Sequence, residues 1–179
     1  MKKILILILI IVLGGVWYFS TRTVKAPPTN SNQTSGNFKP DASNATFTFD
    51  DESVTLTKGL SEETDASVGL VTETELLDKQ AFGDLNADGK DDAVVFLARS
   101  GGGSGTFVYA AAYVSGPISY KGTGAIFLGD RVAPSSITVA NGIATVTYLD
   151  RKSDEPFSAE PTVKVTKQFV YQNGEFVEK

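Results

Sequence analysis

Two short runs of alternating apolar and polar residues flank the pair Asn141-Gly142, and this pattern constrains the fold more than any other feature of the chain. Asn-Gly suits a two-residue type I′ turn, because both turn positions need a positive φ. The spacing predicts a hairpin of residues 137–140 with residues 143–148, with Ala140 opposite Ile143. One face then carries the apolar side chains of Ile137, Val139, Ala144, Val146 and Tyr148. We therefore expect an antiparallel sheet with one buried face.

Further segments after Thr46 also have strand character. Residues 162–171 alternate and end at Asn173-Gly174, which predicts a second hairpin to a short last strand. Residues 92–98 and 107–114 are apolar without alternation, so we expect strands covered on both faces at the centre of the fold. Residues 61–79 fit either a short helix or a polar strand. The predicted fold class is mainly β, a compact antiparallel sandwich or sheet, with an α+β sheet as the alternative.

An uncharged apolar run, residues 4–19, follows Lys2-Lys3. Its sixteen residues are short of the ~20 that a helix needs to cross a bilayer core. A cleaved signal peptide is therefore an alternative to a retained anchor. Pro27 directly follows the candidate cleavage site, residues 24–26, which favours a single-pass transmembrane helix within residues 1–25. We expect the C-terminal domain to be extracytoplasmic, and secreted if the segment is cleaved.

Composition separates a linker from the domain. Residues 26–45 are rich in Pro, Ser, Asn and Thr, which predicts a flexible linker before a domain of residues 46–179. That domain carries 20 Asp and Glu against 11 Lys and Arg. Such an excess of negative charge excludes nucleic acid and anionic lipid headgroups as expected partners of the domain.

The chain contains no Cys and no His. This absence excludes disulfides, thiolate zinc sites, a lipid-modified cysteine and Ser-His-Asp triads. Any bound metal must be held by oxygen, which favours Ca²⁺ or Mg²⁺ over zinc or copper.

One segment, residues 84–92, has the spacing of a calcium loop. Its predicted ligands are the side chains at positions 1, 3, 5 and 9 and a backbone carbonyl at position 7: Asp84, Asn86, Asp88, Asp92 and the carbonyl of Lys90. Gly89 at position 6 supplies the sharp turn. Position 12 is Val95 rather than the Glu of an EF-hand, so we expect a structural calcium of modest affinity, ~10⁻⁴–10⁻³ M. An acidic turn without metal is the alternative.

This loop, with Phe82-Gly83 before it, resembles the β-flanked calcium loops of the FG-GAP and integrin type, although the Gly-Ala-Pro portion of that signature is missing.

A wider set of segments resembles a family of short, membrane-anchored, exported bacterial proteins of unassigned function: residues 46–49, 54–56, 83–86, 102–107 and 127–131. The resemblance implies a location in the bacterial cell envelope and no activity.

Three other patterns have simpler structural readings. The glycine-rich residues 101–106 lack the Lys of a phosphate-binding loop and predict a hairpin loop. Asp130-Arg131 predicts a salt bridge at a strand end. Two carboxylates from the set Asp154, Glu155 and Glu160 could serve a glycosidase, but the nearby prolines indicate an exposed loop.

Taken together, these features predict a non-enzymatic, calcium-stabilised envelope domain that binds a protein or a cell-wall glycan and is attached to the membrane by its anchor. The alternatives are a carboxylate-based hydrolase acting on a cell-wall polymer, and a purely structural spacer.

Overall fold

A computed structural model describes residues 38–179. The predicted anchor, residues 1–25, and the linker up to residue 37 lie outside the described residues. The described part contains one 3₁₀ helix and twelve strands: Ala42–Asn44, then β1 Thr46–Phe49, β2 Glu52–Thr55, β3 Leu60–Asp65, β4 Leu70–Gly83, β5 Asp92–Gly101, β6 Phe107–Ser115, β7 Tyr120–Gly122, β8 Ile126–Asp130, β9 Ala133–Ala140, β10 Ile143–Asp150, β11 Val163–Gln172 and β12 Glu175–Glu178. No helix within residues 38–179 is long and apolar enough to cross a membrane. The prediction of a mainly β fold is confirmed.

The strands form three antiparallel sheets. The central sheet has the order β3-β4-β5-β6-β7, with β8 also paired to β6. A cluster of buried side chains joins one face of this sheet to a four-stranded sheet of order β12-β11-β10-β9. A second cluster joins the other face to the β1–β2 hairpin. The central sheet is therefore covered on both sides over much of its area.

Strand β5 shows why its sequence does not alternate. Successive side chains of a strand point to opposite faces. Val94 and Phe96 belong to the first cluster, whereas Ala93, Val95 and Leu97 belong to the second, and all five are fully buried. Strand β6 divides in the same way between the two clusters. The prediction that these two strands lie at the centre of the fold is confirmed.

The β9–β10 hairpin has the predicted register. Ala140 lies opposite Ile143 and Ile137 opposite Val146. The turn residues Asn141 and Gly142 have φ values of 53° and 73°, as a type I′ turn requires. The predicted apolar face packs into the first cluster. The second predicted hairpin also forms, between β11 and β12.

Residues 61–79 are strand rather than helix. They belong to β3, β4 and the turn of residues 66–69 between them. The two strands pair with each other, and β4 also pairs with β5 over much of its length. Pairing with a central buried strand thus outweighs the helix propensity of the Glu-rich and Leu-rich segment. The alternative of a polar strand is confirmed.

Residues 38–45 pack with the domain, although the composition of residues 26–45 predicts a flexible linker. Ala42 and Ala45 are buried in the second cluster. Asp41 caps the 3₁₀ helix by accepting a hydrogen bond from the Ser43 N–H at 2.9 Å, and this bond lowers the pKa of the Asp41 carboxyl. The folded part therefore begins before Thr46.

Substitution of Gly142 by alanine should destabilise the protein by about 1 kcal/mol, because an L-residue with a side chain is strained at this positive φ. Urea unfolding measures the effect. Gly124→Ala is the matched control, since Gly124 has an ordinary φ and open space around its Cα. Equal stability of the two variants would contradict the role assigned to the type I′ turn.

Candidate metal centre

The predicted calcium loop connects the end of β4 at Gly83 to the start of β5 at Asp92. A Cβ on Gly83 would lie 2.7 Å from a methyl carbon of Val139, so a larger residue here would push β4 away from β9. Ala87 and Gly89 have φ values of 62° and 81°. These two left-handed residues coil the loop, and the predicted sharp turn at Gly89 is confirmed.

Side-chain oxygens of the loop accept hydrogen bonds from its own backbone. Asp84 accepts from the N–H of Asp88 through Oδ1 at 3.2 Å and from that of Gly89 through Oδ2 at 2.8 Å. Asn86 Oδ1 accepts from the same Asp88 N–H at 3.1 Å. The oxygens at positions 1 and 3 therefore lie around one N–H group, as expected for alternate side chains on a tightly wound loop.

Asp92 lies at the inner end of the loop and is fully buried. Its Oδ2 accepts the N–H of Leu85 and its Oδ1 accepts the N–H of Ser115, both at 2.8 Å. Burial raises the pKa of the Asp92 carboxyl, although the two hydrogen bonds act in the opposite direction. The carboxylate thus links the loop to the end of β6.

Ser115 bonds to three residues of the loop, namely Asp92 and two further predicted ligand residues, Asp88 and Asn86. Its hydroxyl donates to Asp88 Oδ2, and its carbonyl accepts from Asn86 Nδ2 at 2.8 Å. The Ser115 hydroxyl is the main cause of the lowered pKa of Asp88. The sequence analysis did not predict Ser115. Antiparallel pairing of β5 with β6 brings it into the site, because the last residue of β6 lies beside the first residue of β5, Asp92.

Lys90 and Tyr120 complete the surroundings of the loop. The Lys90 ammonium lies 3.7 Å from Asp88 Oδ2, and the Lys90 N–H donates to Asp88 Oδ1 at 2.9 Å. The Tyr120 hydroxyl donates to the backbone carbonyl of Asp91 at 2.9 Å. Burial and the nearby carboxylates of Asp92, Asp88 and Asp91 raise the pKa of Tyr120.

The donor set suits a hard cation, but the carboxylates do not meet at one point. Asp84, Asn86 and Asp88 offer only oxygen donors on the loop, which is the chemistry that Ca²⁺ prefers. Within residues 38–179, no three acidic side chains are grouped closely enough to hold a metal ion together. Asp92 instead aims both oxygens at backbone N–H groups. Asp84, Asn86 and Asp88 are thus the residues best placed to contribute ligands.

The other sequence candidates have the structural roles expected of them. Residues 102–106 connect β5 to β6 as a hairpin loop. Asp130 ends β8 and accepts a hydrogen bond from Arg131 Nη2 at 2.8 Å, which lowers the pKa of the Asp130 carboxyl. Glu155 pairs with Lys152 at 3.3 Å, and Asp154 and Glu160 are exposed in the same loop.

No family model, curated protein or solved structure matches the chain. The resemblance to FG-GAP and integrin loops, and to short exported bacterial proteins, therefore stays a prediction.

Asp92→Asn should lower the free energy of unfolding by about 1–3 kcal/mol, because an amide can accept only one of the two buried N–H groups. Urea unfolding in a calcium-free buffer measures the loss. Asp91→Asn makes the same chemical change one residue earlier, where the bond to Tyr120 uses only the backbone carbonyl. A loss no larger than that of Asp91→Asn would disprove the bracing role of Asp92.

Proposed function

We propose that this protein is a membrane-anchored, extracytoplasmic β domain of the bacterial cell envelope, braced by one structural calcium ion in the loop of residues 84–92. It acts as a non-enzymatic binding or structural module. The observation that carries the proposal is the position of the loop, which is tied through Asp92 and Ser115 to the two central strands β5 and β6.

The chemistry of the loop side chains, rather than their meeting at one point, supports a cation. The side chains of Asp84 and Asn86 converge on one N–H group, and Asp88 is already partnered by the ammonium of Lys90. These negative and polar groups lie beside a fully buried carboxylate, Asp92, whose ionised form is disfavoured by burial. A divalent cation in the loop would offset that cost, because an opposite charge stabilises the ionised form.

A stabilising role for the ion follows from the contacts of the loop. The loop joins β4 to β5 and contacts the end of β6 through Ser115, so it restrains three neighbouring strand ends. Ordering of this loop would therefore stabilise the end of the central sheet. An ion bound here would support the frame of the domain, which suits a binding or structural module better than catalysis.

The contacts of Glu155, one of the three acidic residues proposed for a hydrolase, argue against its use as the general acid. Glu155 accepts from the Lys152 N–H at 3.0 Å and pairs with the Lys152 ammonium. These bonds lower the pKa of the Glu155 carboxyl, opposite to what a general acid needs. These contacts give Glu155 a structural role, because they hold together the surface loop that contains it.

Calcium titration of the full-length chain, purified in detergent, tests the proposal. We expect heat of binding with a Kd of ~10⁻⁴–10⁻³ M. At 10 mM Ca²⁺, such affinity corresponds to roughly 1.4–2.7 kcal/mol of added stability. The melting temperature should therefore rise by several degrees relative to EGTA.

Asp84→Asn and Asp91→Asn provide a matched pair for this titration, because both replace one carboxylate by an amide in the same loop. Asp84→Asn should abolish the heat and the melting shift, whereas Asp91→Asn should retain both. Absence of heat and of a melting shift in the unmodified chain would refute the calcium proposal.

A further inference from the structure

Three aromatic side chains form a row on the face of the central sheet that also carries the β1–β2 hairpin. The ring centroids of Phe107 and Phe127 are 6.2 Å apart, and those of Phe127 and Tyr109 are 5.5 Å apart. Phe107 is 41% exposed and Phe127 52% exposed. We call this surface, formed by Phe107, Tyr109 and Phe127, the aromatic row.

The row is exposed because the β1–β2 hairpin covers only part of the sheet. Residues 107, 109 and 111 of β6 lie on one face, since side chains alternate along a strand. Ala111 is buried under the hairpin in the second cluster. Tyr109 packs edge-on against Phe49, the last residue of β1, at 4.9 Å between centroids. Beyond Tyr109 the sheet face is open.

Charged planar groups lie on both sides of Phe107. Strand pairing places Arg99 of β5 opposite Phe107 on one side and Asp130 of β8 on the other. Arg99 bonds to Glu52, and its guanidinium lies over the Phe49 ring at 5.1 Å. Asp130 is held by Arg131 at 2.8 Å. Both groups are therefore oriented by neighbours rather than free to rotate.

The size of the row argues against a protein partner. The two phenylalanine rings together expose on the order of 200 Å², given the area of an aromatic side chain. A stable protein interface buries ~800 Å² of polar and apolar surface from each partner, so the two rings would supply only about a quarter of it. The acidic excess of the domain also disfavours an anionic lipid surface. A ligand of small contact area that combines an apolar face with many hydroxyl groups fits both the rings and their polar flanks.

We propose that the aromatic row binds a glycan chain, with hexose rings stacked on Phe127 and Phe107 and ring hydroxyls hydrogen-bonded by Arg99 and Asp130. A hexose ring presents C–H groups on its face and hydroxyls around its edge, which matches aromatic faces bordered by planar charged groups. This inference rests on the binding-module part of the proposed function and names its ligand class.

Titration of the full-length chain with the tetramer of N-acetylglucosamine, followed by NMR, tests this inference. The aromatic resonances of Phe107, Tyr109 and Phe127 should shift on addition of the tetramer. Phe127→Ala should weaken binding about tenfold or more, whereas Phe127→Tyr should retain affinity because it keeps the stacking ring. A tenfold change corresponds to about 1.4 kcal/mol of binding free energy.

Phe38→Ala is the matched control. Phe38 is 69% exposed, and its ring lies 5.9 Å from that of Tyr120, which pairs with Ser115 at the end of β6 away from Phe107. Its loss should therefore leave affinity unchanged. Arg99→Gln is a second variant that keeps the rings and should weaken binding by removing the hydrogen-bonding guanidinium. Melting curves of all four variants verify that each is folded.

Three results would overturn the inference. The first is the absence of any shift with the tetramer, and the second is an equal loss of affinity in Phe127→Ala and Phe38→Ala. The third is a change of oligomeric state in Phe127→Ala without a change in glycan affinity. The last result would assign the row to contacts between proteins. Titrations in calcium and in EGTA separate this inference from the calcium proposal, because a failed glycan titration with an intact calcium-induced melting shift rejects the glycan site alone.

Discussion

The buried carboxylate of Asp92 is the interaction on which this end of the structure depends. It accepts the N–H groups of Leu85 and Ser115, which are separated by thirty residues in the sequence, at 2.8 Å each. Without an acceptor, both N–H groups would be buried and unsatisfied, a cost comparable to several ordinary hydrogen bonds. Ser115 is in turn hydrogen-bonded to Asp88 and Asn86 of the loop. One carboxylate thus couples the conformation of the loop to the pairing of β5 with β6.

Burial of the central sheet on both faces determines where its functional surfaces can lie. The four-stranded sheet occupies one face and the β1–β2 hairpin occupies part of the other. The loop of residues 84–92 lies at the end of β5 that begins with Asp92, whereas Arg99 and Phe107 lie at the opposite end of the β5–β6 pair. The proposed ion and the proposed glycan are therefore at opposite ends of the β5–β6 pair, one strand length apart, so the proposed ion would support the frame rather than contact the ligand.

The short-range sequence pattern was sufficient to predict an element where the conformation of that element depends on its own residues. The register of β9 with β10 follows from Asn141-Gly142 and the alternation around it, because the type I′ turn leaves one pairing that puts every apolar side chain on one face. Residues 61–79 could not be decided in this way. Their Glu and Leu content suits a helix, and only pairing of β4 with the buried strand β5 selects the extended form. Ala42 and Ala45 are a similar case. They are buried by contacts with residues distant in the sequence, which the Pro-, Ser-, Asn- and Thr-rich composition around them does not predict.

The sequence by itself determined the β class, the central position of β5 and β6, the hairpin turns and the acidic loop of residues 84–92, because each depends on residue type and short-range spacing. Tertiary structure alone decided the partners of that loop and the exposure of the aromatic row. Asp92 accepts a hydrogen bond from the Ser115 N–H, in addition to that of Leu85, because β6 ends beside it. The pairing of β5 with β6 therefore also brings Ser115 into the site. The sequence predicts residues 107–114 to be covered on both faces, yet Phe107 and its neighbour Phe127 are partly exposed. They are exposed because β1 ends at Phe49, where the β1–β2 hairpin turns back short of the edge of the sheet.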